Sequence, residues 1–383
     1  MTHDPPRPIE FYRHSLGEAE AASVRETLAS LFLTLGPRVG AFERALAEHL
    51  GVPRVVGTSS CTTSLLLALR AMDVGPGDEV ITTPMTFVAT SNAVLHAGAT
   101  PVFADVLPRT GLLDPSAVAR AITPRTKAII AVHLYGQLAD VRALRELADQ
   151  HDLWLVEDAA HAVEARDGAL RTAALGDATC FSFYATKNLT SGDGGAVAVH
   201  DVALAERIAR LRNHGVSKDA ASRHGGSYQH WDLVELGYKA AMTDVEAALL
   251  LPQLPRIEEK RALREALARR YERGLEGQAG IELVPQAGTS GRHLFAVLVP
   301  SGTREAVLEG LGRRRIGCAI NYRAVHTLAY YRERFGYRRE AFPIAADFGE
   351  RTLSLPLWPG LPEADVDRVV EAVVAEVEAA ARG

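Results

Sequence analysis

The 383-residue sequence is poor in cysteine, with only Cys61, Cys180 and Cys318. An odd, widely spaced set argues against a disulfide framework and against a thiolate metal site, and a reducing cytoplasm is the expected compartment. No apolar run reaches the roughly eighteen residues that span a bilayer. The opening MTHDPPRPIEFYRHS has no apolar core behind a basic start, so neither a membrane span nor a signal peptide is expected. Charge of one sign is also lacking: 42 Lys+Arg against 47 Asp+Glu leave a formal −5, and without a basic stripe nucleic acid is not an expected partner. There is no G-K-[ST] after a glycine loop and no G-x-G-x-x-G after a first strand, which removes the support for a P-loop or dinucleotide site. No internal repeat or low-complexity tract occurs.

What is present is ordinary for a globular chain: 47% hydrophobic and 23% charged residues. The length predicts two domains, with the composition shifting at about residue 250 into the long charged helix PQLPRIEEKRALREALARRYERGLEG. The expected division is a large domain over 1–250 and a small α+β domain over 251–383. Before that point helices and strands alternate. Residues 18–33 and 38–50 have apolar positions at helical spacing. TTSLLLALRAM and MTFVATSNAVLHAG read as helices, the second closed by Gly98. EVITTP, TPVFADV, TKAIIAVHL, LWLVED, ATCFSFYAT and GGAVAVH read as strands. The pattern predicts an α/β fold with a mostly parallel sheet covered by helices on both faces. Residues 217–238 are polar and irregular.

Three segments carry chemistry. LVED delivers Asp158 to the C-terminal end of a buried strand, the edge where open α/β sheets bind ligands. A carboxylate there suits a cationic partner such as the pyridinium nitrogen of pyridoxal 5′-phosphate (PLP); a helix cap is the plainer alternative. Lys187 follows the apolar run CFSFYAT. Poor solvation there would lower its pKa and free the amine as a nucleophile toward an aldehyde, although a lysine after a strand is commonly a solvated loop residue. Ser182, five residues earlier, is within reach of a phosphate. Finally, Gly57–Ser64 (GTSSCTTS) opens a helix with small hydroxyl residues, an anion site by its backbone N–H groups. Thr62 and Thr63 are the candidate phosphate contacts there, capping being the alternative. Together, and in this order, the three suit a fold-type I PLP enzyme.

At this point the sequence resembles the DegT/StrS group of PLP-dependent nucleotide-sugar aminotransferases. The resemblance rests on GTSSCTTSLLLALRA, GPGDEVITTPMTFVATSNAVLHAGATPVFADV, ITPRTKAIIAVHLYGQLADV, EDAAHA, GDATCFSFYATKNLTSGDGGAVAV and LRNHG, most of residues 50–215. NYRAVHTLAYYRERFG and SLPLWPGLPEADVDRVV look most like the UDP-4-amino-4-deoxy-L-arabinose aminotransferase branch. The resemblance implies a large domain with a seven-stranded sheet and a smaller C-terminal domain. It also implies Lys187 as the Schiff-base lysine, Asp158 as the partner of the pyridine nitrogen and His161 beside the cofactor's phenolic oxygen. Ser182, Thr62 and Thr63 match phosphate ligands, and Phe87 the aromatic stacked on the ring. His326 and Tyr184 are placed near the sugar.

One motif departs from the family. Where members read G-Y-N-x-R-M-x-D, this chain reads GYKAAMTD (Gly237–Asp244), with Lys239 and Ala241 for the usual Asn and Arg. Those positions reach across a homodimer toward the neighbour's phosphate and the donor's carboxylate, so Lys239 is a candidate phosphate contact in trans. The apolar Trp231, Leu233, Val234 and Leu236 nearby are expected to pack against that partner. The implied reaction moves an amino group from an amino acid, L-glutamate by resemblance, to a UDP- or dTDP-linked 4-keto sugar by ping-pong kinetics. Two alternatives are a dehydratase on the same fold, which replaces the lysine by histidine, and a non-catalytic PLP-binding sensor.

Overall fold

The computed structural model describes residues 7–217, 230–278 and 280–382. In chain order its strands are β1 (Arg54–Thr58), β2 (Glu79–Thr82), β3 (Thr100–Phe103), β4 (Thr126–Val132), β5 (Trp154–Asp158), the two-residue β6 (Arg166–Asp167) and β7 (Leu170–Arg171), β8 (Ala178–Ser182), β9 (Gly195–Val199), β10 (Glu282–Leu283), β11 (Phe295–Leu298) and β12 (Thr352–Leu355). Seven of them form the central sheet, in the order β1-β9-β8-β5-β4-β2-β3. The five strands from β8 to β3 run parallel; β9 is antiparallel to both its neighbours, so the edge strand β1 points the same way as the five.

Period-2 alternation explains why so many of its residues are apolar. Along β4, Ala128 and Ile130 join one hydrophobic core while Ile129 and Ala131 join the other. Successive side chains point to opposite faces, and helices cover both, so the strand reads as a continuous apolar run. One face holds the helices Cys61–Ala71 and Val202–Leu211, and the other holds Pro115–Ala121 and Val141–Gln150. The chain is therefore the expected α/β molecule, with a mostly parallel seven-stranded sheet.

Beyond it, β10-β11-β12 form an antiparallel sheet. Tyr271, Leu311 and Val373 pack on that sheet from the helices Ile257–Leu275, Arg304–Arg313 and Glu363–Arg382. Ile9 joins this core from the other end of the chain: its N–H donates to Arg315 O at 2.9 Å and its carbonyl accepts from Gly317 N at 2.8 Å. Among the described residues no helix is long and apolar enough to cross a membrane.

Several elements differ from the sequence reading. β1 went unread, since RVVGT is short and contains Gly57. The helix expected over 18–33 stops at Leu28. The strand expected over 178–186 stops at Ser182, so Lys187 stands five residues beyond it, on a turn where its N–H donates to Tyr184 O at 2.8 Å. Of the irregular stretch 217–238, residues 218–229 lie outside the described residues. Trp231, Leu233, Val234 and Leu236 are exposed on the single chain, Leu236 by 87%. Gly215, at φ 77°, lets the chain fold back so closely that a Cβ there would stand 1.8 Å from Glu235 O.

Candidate active site

The parallel strands open at their C-terminal ends onto a cavity of about 630 Å³, where the topology of an open α/β sheet places a ligand. Each side chain arrives by a short local device. Asp158 is the last residue of β5 and is 6% exposed. Its Oδ2 accepts from Thr90 Oγ1 at 2.7 Å and its Oδ1 from Ala160 N at 3.2 Å, with the Cys61 thiol donating at 3.9 Å. The buried carboxylate is thus held in place from three directions.

Lys187 lines the same cavity, and burial is the first cause that brings its amine down from 10.5 to about 8, against the opposing effect of Cys61 and Asp158. A lysine at about 8 supplies a workable fraction of free amine near neutral pH.

The anion cup forms where β1 turns into the helix Cys61–Ala71. Ser60 caps that helix, accepting from Thr63 N at 3.1 Å, and Ser64 N begins the helical ladder to Ser60 O. The first-turn N–H groups of Cys61 and Thr62 are left outside the ladder, which makes this end a site for negative charge. Ser60, Thr62 and Ser182 line the cavity here. Gly195 lies against this cup: a Cβ would stand 2.4 Å from Ser60 C and 2.6 Å from Cys61 N.

His161 follows Asp158 by three residues. Tyr135 N donates to its Nδ1 at 3.3 Å, so the neutral ring carries its proton on Nε2, which faces the Tyr322 hydroxyl at 3.1 Å. Burial, then Lys187, holds His161 well below the ordinary histidine value. Tyr135 achieves this at φ 62°, a left-handed conformation uncommon outside glycine. Phe87 and Tyr184, 58% and 52% exposed, form the open rim, with the Phe87 ring tilted by 45° against Tyr322 at 5.8 Å between centroids.

Of the residues singled out from sequence, the structure gathers Lys187, Asp158, His161, Ser182, Thr62, Phe87 and Tyr184 around this one cavity. Three others stand apart. Thr63 does not line it: its hydroxyl is used in the helix cap, accepting from Ser60 N at 3.1 Å and donating to Ser60 O at 2.8 Å. Lys239 is exposed, paired with Asn213 across an isolated bridge, and does not line the cavity of its own chain. His326 is fully buried against Phe342, with its Nε2 3.3 Å from Arg339 O, so packing excludes it from the cavity wall.

Sequence reasoning missed Thr90, Tyr322 and His293, all of which line the cavity. His293 left a signal: a histidine two residues before the apolar strand FAVL. Among the described residues that line the cavity there is no arginine, and among the described residues no group of acidic, histidine or cysteine side chains is arranged to hold a metal.

Comparison with known proteins agrees with this geometry. The pattern of the DegT/DnrJ/EryC1/StrS aminotransferase family matches residues 14–374. The chain is 42% identical over 368 residues to the spore coat polysaccharide biosynthesis protein SpsC of Bacillus subtilis, covering 94% of each chain. Helicobacter pylori PseC, an aminotransferase involved in the biosynthesis of pseudoaminic acid, superposes with a TM-score of 0.91 at 29% identity, over 97% of this chain and 100% of PseC. DesI, solved in the presence of its TDP-sugar product, superposes with a TM-score of 0.87 at 31% identity, over 97% of this chain and 94% of DesI. None of these three carries the L-arabinose label suggested by the C-terminal motifs. The chain belongs to the DegT/DnrJ/EryC1/StrS aminotransferase family and is an enzyme of the PLP-dependent sugar aminotransferase type.

Proposed function

We propose that this enzyme transfers an amino group from L-glutamate to C4 of a UDP- or dTDP-linked 4-keto sugar, with PLP bound at Lys187. The observation that carries the reading is the pairing, across one cavity, of an amine that burial lowers to about 8 and a buried, hydrogen-bonded carboxylate. The donor set fits the cofactor: an amine for its aldehyde, a carboxylate for its ring nitrogen and a helix N-terminus with hydroxyls for its phosphate. When bound, PLP supplies an electron sink for the carbanion formed at the donor's α-carbon.

The residues divide that work. The Asp158 carboxylate keeps a proton on the ring nitrogen, with Thr90 and Ala160 N–H fixing its direction. Thr62, Ser182 and the first-turn N–H groups hold the phosphate dianion. Phe87 covers the ring face and, with Tyr322, limits water at the mouth. Lys187 Nζ would be the group that carries the proton at the donor's α-carbon. His161 stays neutral and orients Tyr322 through Nε2.

The same reading includes a homodimer. It is supported by the exposed apolar Leu28, Leu31, Leu233, Val234 and Leu236, at 57–87% exposure, a surface of the kind that marks an interface. It also accounts for the cavity wall without arginine, because the donor's carboxylate needs a cation that the described wall does not supply. Lys239 of the partner subunit fits that need or the phosphate's. The likeness to SpsC, PseC and DesI supports a nucleotide-sugar substrate, and the C-terminal motifs support amination at C4.

The test is half-transamination. The purified enzyme is expected to absorb at roughly 400–430 nm, as a lysine-bound cofactor does, to bleach with L-glutamate, and to recover colour with one member of a panel of UDP- and dTDP-4-keto sugars. Bleaching with no donor and recovery with no sugar would overturn the assignment.

A further inference from the structure

Behind Lys187 lies a buried polar chain that the reaction as described does not use. Arg264 and Glu164, with side chains 3% and 0% exposed, form an ion pair. Asn188, next to Lys187, sends its Nδ2 to both Glu164 oxygens at 3.1 Å and to Gly291 O at 2.8 Å, and Arg264 Nε also donates to Gly291 O, at 3.1 Å. The opposite orientation of the amide would turn its oxygen onto three acceptor atoms, so the partners fix which end is which. Asn188 Oδ1 therefore faces His293 Nδ1, at 3.4 Å. Against an oxygen, Nδ1 must carry the proton. Nε2 is then a lone pair, and it faces Lys187 Nζ at 3.5 Å.

We propose that His293 is a positioning residue for Lys187: the Arg264–Glu164–Asn188 chain fixes its Nδ1–H tautomer, and Nε2 accepts a hydrogen from the lysine amine. One Lys187 N–H is thereby tied to the wall, and the nitrogen lone pair is left directed into the cavity, where the amine must attack an aldehyde or collect a proton. The groups that face His293 are Lys187, the His161 ring at 4.4 Å, and Arg264. Each cation disfavours a charged imidazole, and burial acts first in the same sense, so the acceptor lone pair persists. This role rests on the proposed function, since it assigns His293 to the lysine that holds PLP.

Glutamine and asparagine separate the two ring nitrogens. A Gln side chain reaches as far as Nε2, whereas Asn reaches only the level of Nδ1. Enzyme stripped of cofactor is mixed with PLP from pH 6 to 10, and uptake is followed by absorbance. The wild type is expected to take up PLP with a midpoint near pH 8 set by Lys187. His293→Gln is expected to keep the midpoint and the plateau rate. His293→Asn is expected to lower the midpoint, because the ammonium loses an acceptor, and to cut the plateau rate on the order of tenfold as the amine loses its aim. His293→Leu takes its place if the Asn variant does not fold. Equal behaviour of both folded variants, whether like wild type or equally impaired, overturns the proposal. If wild-type enzyme itself takes up no PLP, it is the proposed function that fails.

Discussion

Replacing Lys187 by methionine tests whether the enzyme holds a destabilised amine. The drop from 10.5 to about 8 corresponds to about 3 kcal/mol, at 1.36 kcal/mol for each tenfold change in proton affinity. The sign follows from which state holds the proton. Below pH 8 the lysine is protonated in both folded and unfolded chains, and the folded chain bears the whole cost of a poorly solvated ammonium. Between pH 8 and 10.5 the unfolded chain still binds a proton that the folded one has released, so stability rises with pH. Above 10.5 both forms are neutral and the cost is gone. Methionine fills a similar volume without charge. Lys187→Met is therefore expected to stabilise the cofactor-free enzyme at pH 7 by about 1–3 kcal/mol, the lower end reflecting water admitted by the open cavity. The gain should shrink toward zero near pH 10.5, while transamination is abolished. Urea unfolding of both proteins across pH 7–10.5 measures the difference, in which titrations not coupled to Lys187 cancel. A difference that does not change with pH, or a variant less stable at pH 7, would refute the reasoning.

Asp158→Asn is expected to retain PLP but to slow transamination at least about a hundredfold, because an amide does not hold the pyridinium proton as a carboxylate does; stopped-flow half-reactions would measure it, and a near-normal rate would reduce Asp158 to a turn cap. Glu164→Gln leaves Arg264 buried without its counter-charge and is expected to destabilise the protein by about 3–5 kcal/mol in denaturant titration. Leu236→Glu places a charge on the exposed apolar surface and is expected to shift sedimentation toward monomer with loss of activity; a fully active monomer would remove the dimer from the mechanism.

The sequence made legible those parts whose cause is local. Asp158 was visible because it ends a strand that begins with the apolar Trp154, Leu155 and Val156, and Thr62 because small hydroxyl residues open a helix. β4 and β5 were visible because burial on both faces leaves the runs Ala128–Val132 and Trp154–Val156 apolar. Tyr322 and His293 were not read as site residues, because they reach the cavity from more than 100 residues beyond Lys187 in the chain and only the fold brings them there. Thr63 and His326 stand apart from the cavity for the opposite reason: their residue types suited a ligand, but one hydroxyl is spent on its own helix and the imidazole is packed against Phe342. β1 was missed because an edge strand of five residues has too little length to show a period. Local pattern also placed the end of β8 too late, since Phe183 continues the apolar run while the backbone has already turned to present Lys187.

The short ladder that joins Ile9 to Arg315 and Gly317, reinforced by Arg7 on Asp365, has a consequence for how the molecule is made. The two strands of that contact are separated by some three hundred residues, and closing so long a loop is slow in chain-entropy terms. During synthesis Ile9 emerges some three hundred residues before Arg315 and Gly317, and its apolar side chain stays uncovered until that later segment has been made. The central sheet can assemble in the meantime from strands nearer in sequence, so the seam at Ile9 is expected to close after it. A fusion or truncation that disturbs Ile9 is then expected to spare the early sheet but to leave the late core unsealed, with soluble yield falling before any change appears in the chemistry at Lys187.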